Sequence, residues 1–374
     1  MDGATRRNPI MIRPLALSTT LTLAFALSLA ACGGSPAPAP APAAQDSAAA
    51  PAPAAAPVEV EAPATPPPAD KKLVIGVMPK LVGIDYFNAT ETGANKAAEE
   101  LGVTVDFNGP AEPDVTKQAQ LVETWITKKY DAIAIAPNDP DAISIALAKA
   151  RKRGIKVLTW DTDSQAPSRD WFVNQCSSES IAKTLVDIMA EGAGSEAKYL
   201  MVIGTLTASN QNTWMNLAND YAKATYPGMT NLSETPKGTE EDQALATQVA
   251  IDSLKAYPDM TGMFALTSVA LPGAAEGLRK SGAAGKVYLT GLSTPKTMRE
   301  YVKDGTVKRF ALWNPEDLGY LAVYAAVASV RGELSPGATT FAAGHLGNVS
   351  VTDTEILLGE PLIFDAGNID NYNF

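Results

Sequence analysis

Two carboxylates spaced i, i+2 close an apolar run, Val157-Leu158-Thr159-Trp160-Asp161-Thr162-Asp163. The run lacks polar alternation, so it reads as a fully buried parallel strand. Strand periodicity points Asp161 and Asp163 to one side of the backbone. In open α/β sheets, ligands bind beyond the carboxyl ends of the strands, which makes this end a candidate site. The competing reading makes both aspartates solvated loop residues, or one of them a helix cap.

Polar groups recur at other strand ends. Past the first apolar run comes Met78-Pro79-Lys80, then Tyr86-Phe87 at the opening of a helix. Lys80 supplies hydrogen-bond donors to a hydroxyl-rich ligand, and an aromatic face stacks on the apolar face of a sugar ring. The plainer alternative is a solvated lysine and two core aromatics. In Pro137-Asn138-Asp139-Pro140-Asp141, either Asn138 or Asp139 reaches a ligand, or Asp139 or Asp141 caps a helix. Later in the chain, Ser209-Asn210-Gln211-Asn212-Thr213-Trp214 follows another buried run. Its neutral amides both donate and accept, which suits polyols better than phosphates. Ser209 or Asn210 as a cap, and Trp214 as core, are the structural alternatives. The run 263–266 leads into Thr267-Ser268-Val269, and the run 309–312 into Trp313-Asn314-Pro315.

Other chemistries are poorly supplied. The chain has two Cys and one His, which leaves little for zinc, haem, iron–sulfur or Cys–His catalysis. The one imidazole, His345, stands in a Gly-flanked loop, where a lone histidine is usually just solvated. No GxxxxGK[ST] loop occurs, and Gly291-Leu292-Ser293 is no dinucleotide fingerprint. Lys+Arg number 30 against 41 Asp+Glu, a net charge of −11. That balance argues against a nucleic-acid partner, whose phosphates need basic patches. We therefore expect no enzyme, no cofactor and no metal.

The elements that must position these residues alternate. Strand-like runs at 73–78, 103–107, 132–136 and 156–159 are separated by helical patterns at 86–101, 115–129 and 141–153. The pattern begins again, with strands at 171–174, 199–203, 230–233, 263–266, 287–292 and 309–312. Helices at 178–191, 212–226, 240–257, 271–280 and 297–304 lie among them, and another runs 316–330. The tail from 349 adds short strands or loops. Repeated β-α units imply parallel sheets covered by helices, with all carboxyl ends on one edge. Two consecutive sets imply two similar lobes.

Residues 1–31 read as a targeting segment, with Arg6, Arg7 and Arg13 ahead of an apolar run too short and too small-residue-rich for a permanent span. It ends Leu29-Ala30-Ala31-Cys32-Gly33, which resembles a bacterial lipobox, a motif whose Cys is lipidated and begins the mature protein. Residues 32–71 are then the lipidated Cys32 and a Pro/Ala-rich tether. That composition cannot bury enough apolar surface to offset its ordering entropy, and its prolines favour extended, semi-rigid conformations. Cys176 is left without a disulfide partner.

From about Lys72 to Phe374 the chain resembles the bacterial periplasmic sugar-binding proteins of the ribose-binding superfamily, closest to the branch holding the rhamnose-binding and autoinducer-2-binding proteins. The motifs that carry this are Pro79-Lys80-Leu81-Val82-Gly83, Thr159-Trp160-Asp161-Thr162-Asp163, Asn210-Gln211-Asn212, Gly291-Leu292-Ser293-Thr294-Pro295 and the ending Asn368-Ile369-Asp370, in that order and spacing. The resemblance implies a type I periplasmic binding protein fold, two Rossmann-like lobes joined by a three-crossing hinge. The N-terminal lobe would hold 72–162 plus about 315–345, and the C-terminal lobe 163–314 plus about 346–374.

It also implies a sugar ligand in the interlobe cleft, delivery to an ABC permease in the inner membrane, and no reaction catalysed. The ligand-binding set carried over or read from the strand ends is Lys80, Tyr86, Phe87, Asn138, Asp161 and Asp163 from the first lobe. From the second come Asn210, Gln211, Trp214, Leu266 and Ser268, with Trp313 and Asn314 near the hinge. Autoinducer-2 receptors carry Asp where Asn210 stands, and Pro and Ala where Leu266 and Ser268 stand. Those departures lean toward rhamnose, whereas Lys80-Leu81-Val82 leans toward autoinducer-2. The expected protein is a monomer in the cell envelope, on the extracytoplasmic face, anchored at Cys32.

Overall fold

The computed structural model describes residues 71–374, so the expected leader, Cys32 and almost all of the tether lie outside the described residues. The first βα units run β1 (Val74–Met78), α1 (Asp85–Leu101), β2 (Thr104–Phe107), α2 (Val115–Thr127) and β3 (Ala132–Ile135). They continue through α3 (Pro140–Lys152), β4 (Lys156–Trp160) and β5 (Trp171–Cys176). A second series follows with α4 (Ser178–Ala193), β6 (Lys198–Ile203), α5 (Ser209–Thr225), β7 (Thr230–Asn231) and β8 (Lys237–Gly238). It goes on through α6 (Gln243–Ala256), β9 (Gly262–Ala265), α7 (Ala270–Lys280), β10 (Tyr288–Gly291), α8 (Pro295–Lys303) and β11 (Arg309–Leu312). The chain ends with α9 (Pro315–Arg331), β12 (Thr340–Ala342), β13 (Asn348–Thr352), β14 (Glu355–Gly359) and β15 (Leu362–Asp365).

Two sheets result. The first has the order β12-β13-β14-β5-β4-β3-β1-β2, parallel from β2 to β14 and antiparallel beyond. The second is β10-β9-β6-β7, with β8 also on β6, and its pairings are parallel. The antiparallel pair β11-β15 joins it through a bridge from Leu292 to Ala311. The chain therefore passes between sheets after β5, after β11 and after β14, the three crossings of a type I periplasmic binding protein fold.

The sheet boundaries differ from the expected ones at 162/163 and 345/346. β5 pairs directly with β4, Leu158 opposite Trp171, and β13 and β14 extend the same sheet. The interval after Asp161 is a loop closed by an Asp163–Arg169 ion pair, 2.6 Å, and leads back into the first sheet. β14 joins the first sheet through a partner far back along the chain, β5, and a local apolar pattern does not encode which strand pairs with which.

Both faces of the first sheet are buried. In β3, Ile133 and Ile135 pack with Val122 and Trp125 of α2 and with Ile143 and Leu147 of α3. Ala132 and Ala134 face the opposite cluster, which contains Ala94 of α1 and residues of α9. Two buried faces explain why these strands read as unbroken apolar runs. Helix starts are set by side-chain caps: Asp139 accepts from the Asp141 and Ala142 amides ahead of α3, and Asn314 does the same for α9. Among the described residues no helix is long and apolar enough to cross a membrane.

Returning to the first lobe after the second crossing, α9 packs on α1 at backbone contact. A Cβ on Gly93 would lie 1.7 Å from the Glu316 carbonyl oxygen, and one on Gly319 would lie 1.9 Å from that of Thr90. A carbonyl held inside a helix cannot yield as a flexible side chain would. Gly93→Ala or Gly319→Ala is expected to destabilise the lobe by about 1–3 kcal/mol. Gly359→Ala, with nothing within 4 Å of the added carbon, should change stability little. Thermal melts of the three variants check this; equal melting temperatures would mean the helices separate freely.

Candidate functional site

The carboxyl ends of both sheets meet at a cavity lined by side chains from each. Its first-lobe wall is built from the loop after β1, the first turn of α1 and the end of β4. Lys80, 7% exposed, is held there by its backbone. Its carbonyl accepts from Asn138 Nδ2 at 2.8 Å, while Gln118 donates to the Pro79 and Ala136 carbonyls and accepts from the Asn138 amide. Asn138 thus braces the Lys80 loop and does not line the cavity, correcting the expected ligand role. Asp139 is the cap: its carboxylate accepts from the Asp141 and Ala142 amides, while Pro140 at the first helical position has no N–H to satisfy.

Asp161 stands immediately after β4 with φ +63°, in the left-handed region. The Thr162 amide reaches back to the Trp160 carbonyl at 2.6 Å, so the strand ends in a tight reversal. This breaks the period-2 alternation and separates the two aspartates. Asp161 enters the cavity, whereas Asp163 accepts from the Ser164 amide and pairs with Arg169, which bonds Thr354. The expectation that both carboxylates face one ligand is therefore corrected: Asp163 fastens the loop to the β13–β14 turn. A left-handed aspartate costs roughly 1–2 kcal/mol and is the kind of strain that gathers at functional sites.

The polar groups of the cavity form a connected chain across the lobes. Lys80 Nζ donates to Asn210 Oδ1 at 3.0 Å and lies 3.6 Å from Asp161 Oδ1. Asn210 Nδ2 donates to the Asp161 carbonyl at 3.3 Å. Tyr86 donates its hydroxyl to Asp161 Oδ2 at 2.7 Å and accepts from Trp313 Nε1 at 2.9 Å. Burial first, then the facing Asp161 charge, pushes the Tyr86 phenol well above its ordinary range, so it remains a donor.

Apolar surface surrounds this chain. Tyr86 meets Phe87 and Trp313 edge-on, with ring centroids 5.0 and 6.1 Å apart, and Trp214 meets Trp313 at 5.8 Å. Leu266 and Ser268 complete the second-lobe side, as expected. Asn314 does not take part. Its side chain caps α9, accepting from the Glu316 amide at 2.9 Å and donating to Asp317 at 2.7 Å. The residue after Trp313 must start a helix, and a cap points along the helix axis, away from the cleft.

Gln211 lines the cavity and also positions a residue absent from the expected set. Its Oε1 accepts from the Gly204 amide at 2.7 Å, and its Nε2 donates to Glu241 at 3.2 Å. Glu241 was expected inside a helix starting at 240. Instead Asp242 caps α6, and Glu240 and Glu241 are consecutive left-handed residues with φ 50° and 54°. The loop turns the Glu241 carboxyl into the cavity, onto the Thr267 hydroxyl. Burial raises its carboxyl pKa above the ordinary value, opposed by the Thr267 hydrogen bond, the Lys80 charge and Gln211. The signal that would have found it is Asp242, three residues before Leu245, as an N-cap placing Glu241 in a strand-end loop.

Free Cys176 is fully buried at the first crossing, and burial pushes its thiol up, so it is no nucleophile. The cavity itself measures about 50 Å³, smaller than the few hundred Å³ typical of a small-molecule site, so this arrangement of the lobes leaves little room for a ligand. Neutral amides, a paired Lys–Asp couple and aromatic edges can hold a small polyhydroxylated molecule by its hydroxyls and its ring carbons.

Known proteins agree with this architecture. The periplasmic binding protein domain family matches residues 75–334. A solved sugar ABC transporter structure from Actinomyces odontolyticus is 36% identical, TM-score 0.66, over 81% of this chain and 98% of that one. An ABC transporter solute binding protein from Clostridium phytofermentas with bound L-rhamnose is 29% identical, TM-score 0.77, over 81% and 98%. LsrB from Clostridium saccharobutylicum in complex with AI-2 is 27% identical, TM-score 0.77, over 81% and 100%. By its matched span, its sheet order and its interlobe cavity, the chain belongs to the periplasmic binding protein domain family and has the type I fold.

Proposed function

We propose that the protein is the substrate-binding component of a bacterial ABC sugar importer, extracytoplasmic, capturing a neutral monosaccharide between its lobes. The observation that carries this reading is the hydrogen-bonded chain from Lys80 and Asp161 to Asn210, which joins the two lobes inside an aromatic-walled cavity. A hydroxylated ring entering between them exchanges these bonds for its own. Closure then follows from the ligand's higher affinity for the state in which both lobes touch it.

Within the sugars, a deoxyhexose such as rhamnose fits best. Asn210 is an amide that donates and accepts, where autoinducer-2 receptors of the resembling branch carry a carboxylate. Phe87, Trp214 and Trp313 offer carbon surface for a methyl group and ring face. The second reading, an autoinducer-2 receptor, draws on Lys80 and on the structural similarity to the AI-2 complex. Titration calorimetry with rhamnose, ribose, xylose, glucose and autoinducer-2 should show the strongest binding for rhamnose. Micromolar or tighter binding of autoinducer-2, with no sugar bound, would reverse the ranking.

Asp161→Asn keeps an acceptor for Tyr86 while removing the charge beside Lys80. Sugar affinity should fall by about 1.5–3 kcal/mol, the usual loss for hydrogen bonds to a charged group. Unchanged affinity would remove Asp161 from the ligand contacts.

The Leu29-Ala30-Ala31-Cys32 motif supports a lipid anchor on Cys32, with a tether that lets the binding domain reach a permease. Cys32→Ser should move the protein from the membrane to the soluble fraction or block its processing. Wild-type protein recovered soluble with a free Cys32 thiol would exclude the anchor.

A further inference from the structure

The cavity carries more carboxylates than cations. Lys80 is its one lining cation among the described residues, whereas Asp161 and Glu241 both line it. Asp161 takes the Lys80 ammonium at 3.6 Å. The donors that hold Glu241 are neutral, the Thr267 hydroxyl and Gln211 Nε2. Glu241 is also built into place. Thr239, fully buried, fixes the loop to the end of β6 through its amide and its hydroxyl, both donating to the Ile203 carbonyl. Two left-handed residues then turn the chain, and Asp242 starts α6. At the floor, a Cβ on Gly204 would stand 1.9 Å from Glu241 Oε1, so the carboxyl rests on bare backbone. Starting α6 needs only Asp242; it does not need a strained pair of glutamates ahead of it.

We propose that Glu241 is the charge filter of the cleft, admitting neutral and amine-bearing polyols and rejecting sugars that carry a carboxylate or a phosphate. The proposal rests on reading the cleft as a sugar site and sets which class of sugar it takes. A hydroxyl or ammonium donates to the free lone pairs of Glu241. An acidic ligand would instead sit between Glu241 and Asp161 with Lys80 alone to balance three negative groups, away from water. Thr267 and Gln211 act as positioning residues that keep the carboxyl aimed at the ligand.

Glu241→Gln preserves shape while removing the charge: its oxygen still accepts from Gln211 Nε2, and its amide nitrogen donates to the Thr267 hydroxyl instead of accepting from it. On the purified full chain, calorimetry compares glucose, galactose and rhamnose with glucosamine, glucuronate, galacturonate and glucose 6-phosphate. Wild type should prefer the neutral sugars and glucosamine over the acids by about 100-fold or more, since like charge in a desolvated site is strongly unfavourable. Glu241→Gln should narrow that gap at least about 10-fold and should melt no lower than wild type at neutral pH, because it relieves a buried charge. An unchanged neutral-to-acid ratio in Glu241→Gln, with sugar still bound, would reduce Glu241 to a loop-packing residue and leave the sugar reading intact. Wild type binding the uronates as tightly as neutral sugars would overturn the filter in the same way. Failure of every sugar in the panel, with both proteins folded, would overturn the sugar reading and the filter together.

Discussion

Everything in the cleft depends on how Asp161 is held. It comes from the end of β4, accepts a hydrogen bond from the hydroxyl of Tyr86 on α1, and stands against Lys80 from the loop after β1. Asn210 from the second lobe reaches both it and Lys80. Two charges buried this deeply are costly unless their remaining lone pairs and protons are occupied. Here the Asp161 carbonyl accepts from Gln175 as well, and one Asp161 oxygen from Thr162. The same network makes the site sensitive to truncation. A residue that closes a strand over a cleft would ordinarily contribute little to stability, but removing the Asp161 carboxylate leaves Lys80 buried without its counter-charge. Asp161 therefore serves the fold as well as the cleft, and a melting curve beside each affinity measurement is what separates the two roles.

The interlobe part of this network is weak where it has to be. A neutral hydrogen bond contributes about 1 kcal/mol net and one with a charged partner about 1.5–3 kcal/mol, because water replaces the lost partner on opening. Lys80 to Asn210 and Thr297 to Asp85, each with one charged partner, and the neutral bond from Asn210 to the Asp161 carbonyl are polar ties between the lobes, few enough to exchange for water. The intralobe bonds of Asp161 to Tyr86 and of Asn138 to the Lys80 loop need not break. Opening thus leaves each half-site assembled, which limits the ordering cost a ligand has to offset when it binds.

Much of this is legible in the sequence, and the departures at single residues share one cause. Buried parallel strands announce themselves as apolar runs, and Lys80, Asp161 and Asn210 stand just past them at the cavity; position leaves loop and cap alternatives open for them, and the family resemblance is what singles them out. Periodicity then misled wherever the backbone left its regular path. Asp163 was paired with Asp161 by an alternation that the left-handed turn at Asp161 cancels. Glu241 was lost inside a helix because two left-handed residues cannot be seen in a pattern of residue types. Asn138, just past β3, and Asn314, next to the cavity-lining Trp313, serve the backbone instead, as a brace and as a cap. An amide side chain suits all three jobs equally, and only geometry distinguishes them.

The sheet boundaries were misjudged for a different reason, and the misjudgement bears on function. Placing β5, β13 and β14 in the first sheet moves the crossings to the ends of β5, β11 and β14, next to one another. Trp313 then lies on the second crossing itself. Its indole nitrogen bonds Tyr86 of the first lobe, and its ring packs edge-on against Trp214 of the second. A rotation about the crossings that opens the cleft must strain one of these two contacts, since one side chain cannot follow both lobes. Trp313 therefore couples the hinge to the cavity: the indole that lines it also touches both lobes.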